Sequence, residues 1–316
     1  TSLLPAIQDH PLEVWGHYWA LRARLSSATA QEVEDFLQRW RGTYQEDRLR
    51  NDWLLLLGQR RNWAEFERLH TEFRQDDKQL RCYDLAIASI EGRLPQHAST
   101  ELQQLWMGQP ANDDGCTYAA STLYAAEQLP ALAVWQRARL GAERNQLSTA
   151  RNALAIVAPQ HVAALAGLFK SPQAYLSNPK TTPPPALATL ALIRLASSDP
   201  DQASQLLRTS WQQSLSAEEQ HWVWGMIGKV AARRLSDNAL DYFAQVKQLT
   251  DLNDDSLAWL ARAALRAGQW DKVQRAIAAM SPAQQQDSTW VYWKARALLT
   301  QGTPADQARA QALLGS

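Results

Sequence analysis

Four pairs of adjacent carboxylates are the residues best suited to acid–base chemistry in this chain: Asp76–Asp77, Asp113–Asp114, Glu218–Glu219 and Asp254–Asp255. Glycosidic cleavage needs a carboxylic acid positioned in a cleft. Each pair, however, stands beside a turn or at the start of a helical run, where a carboxylate satisfies free backbone N–H groups and the helix dipole. These acids are therefore expected to cap helices, and none is assigned as catalytic. His10 and His17 share a helical face only if the first helix reaches back to residue 10, and His161 and His221 are isolated. No HxxxH or HExxH spacing occurs and neither cysteine has a CxxC partner, so no metal site is expected. The glycine patterns of nucleotide-binding loops and the GxSxG elbow are also missing, and no cofactor is expected.

The sequence holds 14 tryptophans. Most fall on the apolar stripe of their own helix and are expected to pack there. Trp15, Trp19, Trp106 and Trp211 fall off those stripes, which makes them candidates for stacking a sugar ring or a base. Arg24, Arg39, Arg41, Arg60, Arg61, Arg81, Arg137, Arg139, Arg233 and Arg234 are candidates for lining one concave surface. The other reading of these arginines is an ion-paired, solvated face. Cys82 and Cys116 also leave two readings open: buried thiols in a reducing compartment, or one disulfide in an oxidising one. Both stand near the start of helical runs, CYDLAIASI and CTYAASTLYAA. A bridge would close a loop of about 35 residues, worth roughly 4 kcal/mol in the chain-entropy model.

The elements that position these residues are helices throughout. Leu257, Leu260, Ala261, Ala264 and Leu265 recur at helical spacing, as do Trp270, Val273, Ile277 and Met280. Gly268 is expected to end one helix, and Ser281-Pro282 and Thr303-Pro304 to start the next ones. Ser216-Ala217-Glu218-Glu219 reads as a capping box. Further helices are expected over Pro11–Leu25, Tyr44–Leu57 with a stop at Gly58, Trp63–Phe73 and Ser236–Leu249. Gly58-then-Trp63 reads as a weak repeat of Gly268-then-Trp270. Period-2 alternation rich in β-branched residues is absent. About fourteen to eighteen short helices without a sheet predict an all-α superhelix, a tetratricopeptide-like but irregular array of helix pairs. The array is read as one domain over residues 1–316. SNPKTTPPP cannot be helical and forms a connector at 177–185, around which a subdivision into 1–176 and 186–316 is open.

Lys plus Arg and Asp plus Glu each number 32, so the formal net charge is zero. This argues against nucleic acid as the main partner, since phosphate binding needs a basic surface. No run approaches the ~18 apolar residues of a membrane span. The opening TSLLPAIQDHP has neither an initiator Met nor a basic n-region, so the chain is expected to be processed or part of something longer.

The block LARAALRAGQWDKVQRAIAAM followed by TWVYWKARALLTQG resembles the end of the superhelical domain of the soluble lytic murein transglycosylases of Gram-negative bacteria. The likeness lies in a W-x-x-V-x-x-x-I helix, a spacer, then W-x-Y-W-x-A-R-A-L and Gly. NWAEFERLH, the two cysteine helices, Ser148 to Tyr175 and ALATLALIRLASSDPDQASQLL also follow that domain's order, so the likeness spans nearly the whole chain. The resemblance implies a U of paired helices, a periplasmic location, and a disulfide between Cys82 and Cys116. It also implies a linker domain and a lysozyme-like catalytic domain as partners. That catalytic domain cleaves the bond between N-acetylmuramic acid and N-acetylglucosamine and leaves a 1,6-anhydro end, with a single Glu and no cofactor. The family's Glu-Ser and Gly-Leu-Met-Gln signature has no match here, so no catalytic residue carries over. The chain is expected to be a non-catalytic scaffold and a guide for glycan strands. The alternative is a tetratricopeptide-like adaptor that binds a protein partner in its groove.

Overall fold

The computed structural model describes residues 4–178 and 182–315. Residues 179–181 of the expected connector lie outside the described residues. Among the described residues there are twenty α-helices and no strand. The chain packs as two compact units, Thr1–Arg137 and Ala138–Ser316. The described part of the expected connector resumes at residue 182. There the Pro184 backbone is extended (φ −58°, ψ 147°) and Pro185 opens a helix, a position that needs no N–H donor.

The first unit carries α1 (Glu13–Arg22), α2 (Ala30–Arg39), α3 (Tyr44–Gln59) and α4 (Trp63–His70), then α5 (Lys78–Ile90), α6 (Ala98–Met107) and α7 (Asp114–Ala125). Helix α8 (Ala131–Glu143) runs across the division. Helix α3 packs on α1, α2, α4 and α5, and α5, α6 and α7 pack on one another. Contacts between near neighbours in sequence are the mark of a stacked helical array. Tyr18, Leu49, Leu54, Phe66, Leu80 and Tyr83 are fully buried in the core of this unit.

The second unit continues with α9 (Leu147–Val157), α10 (Leu165–Lys170), α11 (Pro172–Leu176), α12 (Pro185–Ser198) and α13 (Pro200–Leu206). Then come α14 (Ala217–Arg233), α15 (Ala239–Phe243), α16 (Asp254–Arg266) and α17 (Trp270–Ala279), and last α18 (Pro282–Gln285), α19 (Ser288–Gln301) and α20 (Pro304–Leu314). Helix α14 is the centre: it packs on α12, α13, α15 and α16, and every residue from His221 to Ala232 is buried. A helix buried on all sides needs close neighbours, and Gly228 supplies one approach. A Cβ there would stand 2.9 Å from the Phe243 ring.

Helix starts follow the sequence signals. Thr29–Glu32, Ser216–Glu219 and Thr303–Asp306 form reciprocal capping boxes, and Ser281 accepts a hydrogen bond from the Gln284 N–H. Helix ends are less legible. Six helices (α3, α5, α7, α8, α14 and α16) close with the paired 6→1 and 5→2 bonds of a Schellman turn. In α3 the Asn62 N–H reaches the Leu57 carbonyl and the Arg61 N–H reaches Gly58; in α16 Gln269 reaches Ala264 and Gly268 reaches Leu265. The left-handed residue in these turns is Arg61, Gly92, Glu127, Asn145, Leu235 or Gly268, only two of them glycine.

This corrects the expected stop at Gly58. Gly58 lies inside α3 because the Tyr83 ring crosses it; a Cβ there would stand 2.3 Å from that ring. The counterpart of Gly268 is Arg61, so Arg61-Asn62-Trp63 matches Gly268-Gln269-Trp270 residue for residue. The helix expected over Ser236–Leu249 is only the five-residue α15 with a 3-10 turn at Leu249–Asp251. Its middle is turned by the Phe243–Val246 and Tyr242–Gln245 backbone bonds.

Candidate functional site

Three of the four acidic pairs put one member on a helix cap, and the expectation fails for Asp254–Asp255, where neither acid caps. Asp77 accepts from the Gln79 and Leu80 N–H groups, Asp113 from that of Cys116, and Glu219 closes the box at Ser216. The N-cap of α16 is Asn253, one residue ahead of the expected pair. The remaining acids join other elements. Asp114 binds Arg61, Glu218 binds Arg139 at 2.6 Å, and Asp255 reaches Lys229 at 3.2 Å. Asp254 accepts from the N–H and hydroxyl of Ser281.

Asp113 and Asp114 are pushed in opposite directions. Burial raises the Asp113 carboxyl above its ordinary value, and the bond from Cys116 only partly offsets this. Burial also acts on Asp114, but hydrogen bonds from Arg61 and Tyr83 outweigh it and hold that carboxyl below its ordinary value. Separated values of this kind occur at acid–base sites. Here they follow from a cap and an ion pair, and neither cavity described below includes them.

The histidines do not converge. Helix α1 begins at Glu13, so His10 stands outside it, with its Nδ1 accepting from the Leu12 N–H. The shared face with His17 is therefore not formed. His221 accepts the Lys247 N–H through Nε2 and faces Asp251 through Nδ1 at 2.6 Å. The accepting Nε2 places its proton on Nδ1, which donates to Asp251. No cluster of metal-ligating side chains occurs among the described residues. No described helix is long and apolar enough to cross a membrane.

Cys82 and Cys116 are joined by a disulfide between α5 and α7, and both are fully buried. Of the ten arginines proposed for a concave surface, eight are held by this chain's own groups. Arg137, 1% exposed, donates to the Gln109 and Ala111 carbonyls. Arg24, Arg39, Arg61, Arg81 and Arg139 are ion-paired to Glu32, Glu13, Asp114, Glu101 and Glu218. Arg60 and Arg234 donate to the carbonyls of Ser26 and Ser198. Only Arg41 and Arg233 stand exposed without such a bond among those described.

The four off-stripe tryptophans divide evenly. Trp106 and Trp211 are buried and serve the core. Trp15 is half-buried, and Trp19 is 50% exposed. The Trp15 and Trp19 rings stack at 6.1 Å between centroids and 21° between planes. Trp19 borders an open surface depression of about 500 Å³ also lined by Arg22, Asp52, Leu55, Leu56 and Gln59. Arg22 lies over the Trp19 ring and donates through Nε to Asp52 at 2.9 Å. Asp52 also accepts from the Tyr18 hydroxyl at 2.9 Å, and Arg48 donates to that hydroxyl at 3.0 Å. A second cavity, of about 450 Å³, lies in the other unit beside Trp259, Leu235 and Leu240. Arg262 and Arg266 border it, the first over the Trp259 and Trp290 rings and the second paired with Asp237.

This all-α array of helix pairs has solved counterparts. The chain is similar over 99% of its length to an inactive mutant of the lytic transglycosylase Slt from Pseudomonas aeruginosa, with 25% identity and a TM-score of 0.54. The 70-kDa soluble lytic transglycosylase from Escherichia coli aligns over the same 99% with 18% identity and a TM-score of 0.48. A complex of the 70-kDa enzyme with bulgecin A gives 17% and 0.47. In each case the match takes in 51% of the longer structure, so the chain spans about half the length of the proteins it resembles. No family model and no curated protein matches the chain. The resemblance read from the sequence thus reappears in the fold, and its weight rests on the Pseudomonas structure.

Proposed function

We propose that this chain is the superhelical, non-catalytic portion of a periplasmic soluble lytic murein transglycosylase. In this reading it holds a linker and a lysozyme-like domain in position and guides glycan strands to them. The observation that carries this reading is the match of nearly the whole chain to half of a lytic transglycosylase. Two further facts support it. The Cys82–Cys116 bridge is what the resemblance implies, and a protein in an oxidising compartment can keep it. Asp77, Asp113, Asp114, Glu218 and Glu219 of the acidic pairs serve caps and ion pairs within the chain. In this reading cleavage of the bond between N-acetylmuramic acid and N-acetylglucosamine belongs to the downstream domain.

The coding sequence past Ser316 tests the assignment. A lysozyme-like segment with Glu-Ser and Gly-Leu-Met-Gln is expected. A stop codon or an unrelated domain there would contradict it and favour an adaptor.

A further inference from the structure

We infer that the groove between α15 and α16 is a docking site for an acidic, amphipathic peptide segment of a partner protein. Its volume is about 450 Å³, within the range of binding clefts. Leu235, Leu240 and Trp259 give it an apolar lining, and the short side chains of Ala239 and Ala263 leave it hollow. Leu235 is the first sign of an occupant. It is 67% exposed and held at φ 57°, a left-handed backbone that glycine adopts without strain. So exposed a leucine contributes little to the core. Apolar surface kept there against the local backbone preference is what a binding face requires.

The charge on the groove sets the chemistry of that occupant. Arg262 and Arg266 line it against a single acid, Asp237. Arg262 lies over the Trp259 and Trp290 rings, at 4.9 and 5.3 Å, with no carboxylate bond among those described. Stacking engages the faces of a guanidinium and leaves its N–H edge for an acceptor. Arg266 pairs with Asp237, whose side chain is 97% exposed, a screened contact that an incoming carboxylate can replace. Arg233, exposed and also without a carboxylate bond among those described, stands two residues before Leu235. The whole chain has no net charge, so this excess of cations is local. An apolar lining bordered by cations complements a segment whose leucines enter the groove and whose carboxylates reach the arginines. A nucleic acid would use the arginines and leave Leu235 and Leu240 without a counterpart. The inference does not depend on the murein reading, because it is built from the groove's own residues.

Selection from a random peptide library displayed on phage, against the purified chain, tests the docking site. Peptides that combine leucine or phenylalanine with several Asp or Glu are expected to be enriched. Synthetic copies of them should bind in fluorescence anisotropy, and Arg262→Gln and Leu235→Gly should each weaken binding at least about tenfold. Leu235→Gly is the sharper variant, because it relieves the left-handed backbone and removes only an exposed side chain. Trp19→Ala, in the other unit, should leave binding unaltered. Melting curves confirm that each variant is folded. No enrichment of acidic apolar peptides, or undiminished binding by either groove variant, overturns the site and leaves the murein reading in place. Anionic lipid vesicles or a single-stranded oligonucleotide that bind the wild-type chain but not Arg262→Gln would overturn the peptide as occupant.

Discussion

Arg61 grips Asp114 through two parallel hydrogen bonds, 2.6 and 3.0 Å long, tying the turn after α3 to the first turn of α7. Arg61 does this from a left-handed backbone (φ 58°), and its guanidinium also covers the Tyr118 ring at 3.9 Å. Asp114 in turn accepts from Tyr83, whose ring crosses Gly58. One side chain thus closes a helix, stacks on an aromatic ring and pairs with a carboxylate 53 residues away. Bidentate pairs are among the stronger polar contacts, but both partners are about a third exposed, so solvent screening reduces the gain.

Asp114→Asn is expected to destabilise the first unit by about 1 kcal/mol after that discount. The pH dependence has a defined sign. Asp114 is held below its ordinary value of 3.8, so its contribution is present above that value and is lost as pH falls through the folded value. Asp113 is raised and acts in the opposite sense, because its charge disfavours the fold at neutral pH. Denaturant melts of the Asp114→Asn and Asp113→Asn proteins at pH 7 and in acid separate the two. The Asp114→Asn deficit should shrink in acid.

The disulfide is predicted to stabilise the first unit by roughly 4 kcal/mol in the chain-entropy model, within a broad measured range. The Cys82→Ser/Cys116→Ser double variant should lower the unfolding transition of that unit. Thiol titration of the denatured, non-reduced chain should find no free thiol. Two free thiols in protein exported to an oxidising compartment would contradict both the bridge and the proposed location.

Leu235 is the turn residue most at odds with its conformation. It is 67% exposed with φ 57°, and a left-handed backbone costs an L-residue roughly 1–2 kcal/mol. Leu235→Gly should therefore be stabilising by about 1 kcal/mol, less than the full relief because glycine loses more freedom on folding. A lower melting temperature for Leu235→Gly would show that the Leu235 side chain contributes more by packing than its exposure indicates.

These turns show what was legible in the chain and what was not. Caps were readable because a hydroxyl or carboxylate ahead of a helix, often followed by Pro or Glu, has one efficient use; Ser216, Ser281 and Thr303 all serve it. Helix ends were less so. Glycine at the left-handed position is a preference, and Arg61, Glu127, Asn145 and Leu235 occupy that position instead. Trp106 and Trp211 looked surplus to their stripes, yet a helix with neighbours on several sides buries more than one stripe. The Trp19 depression was half visible. Trp15 and Trp19 stood out at once, but Asp52, 30 residues beyond Arg22, is brought in only by the packing of α3 on α1.

In the second unit, the Glu143 side chain is buried and receives three donors: Lys229, the Trp222 indole at 2.6 Å and the Asn253 amide at 3.0 Å. Burial alone would lower the Lys229 value, but attraction from Glu143 and Asp255 outweighs it and leaves the ammonium raised. Its contribution is then complete below the ordinary value of 10.5 and is lost as pH rises through the folded value. Lys229→Met should cost about 3–5 kcal/mol, since it leaves a buried carboxylate without its cation. Adding Glu143→Gln should recover part of that loss. A loss of under about 1 kcal/mol in Lys229→Met, typical of exposed pairs, would mean that the network is more solvated than its burial indicates.

The most direct measurement is muropeptide release from purified sacculi, comparing residues 1–316 alone with the full product of the same reading frame. 1,6-Anhydro-muropeptides are expected from the full product and none from residues 1–316. Release by residues 1–316 alone, or none by the full product, would contradict the proposed function.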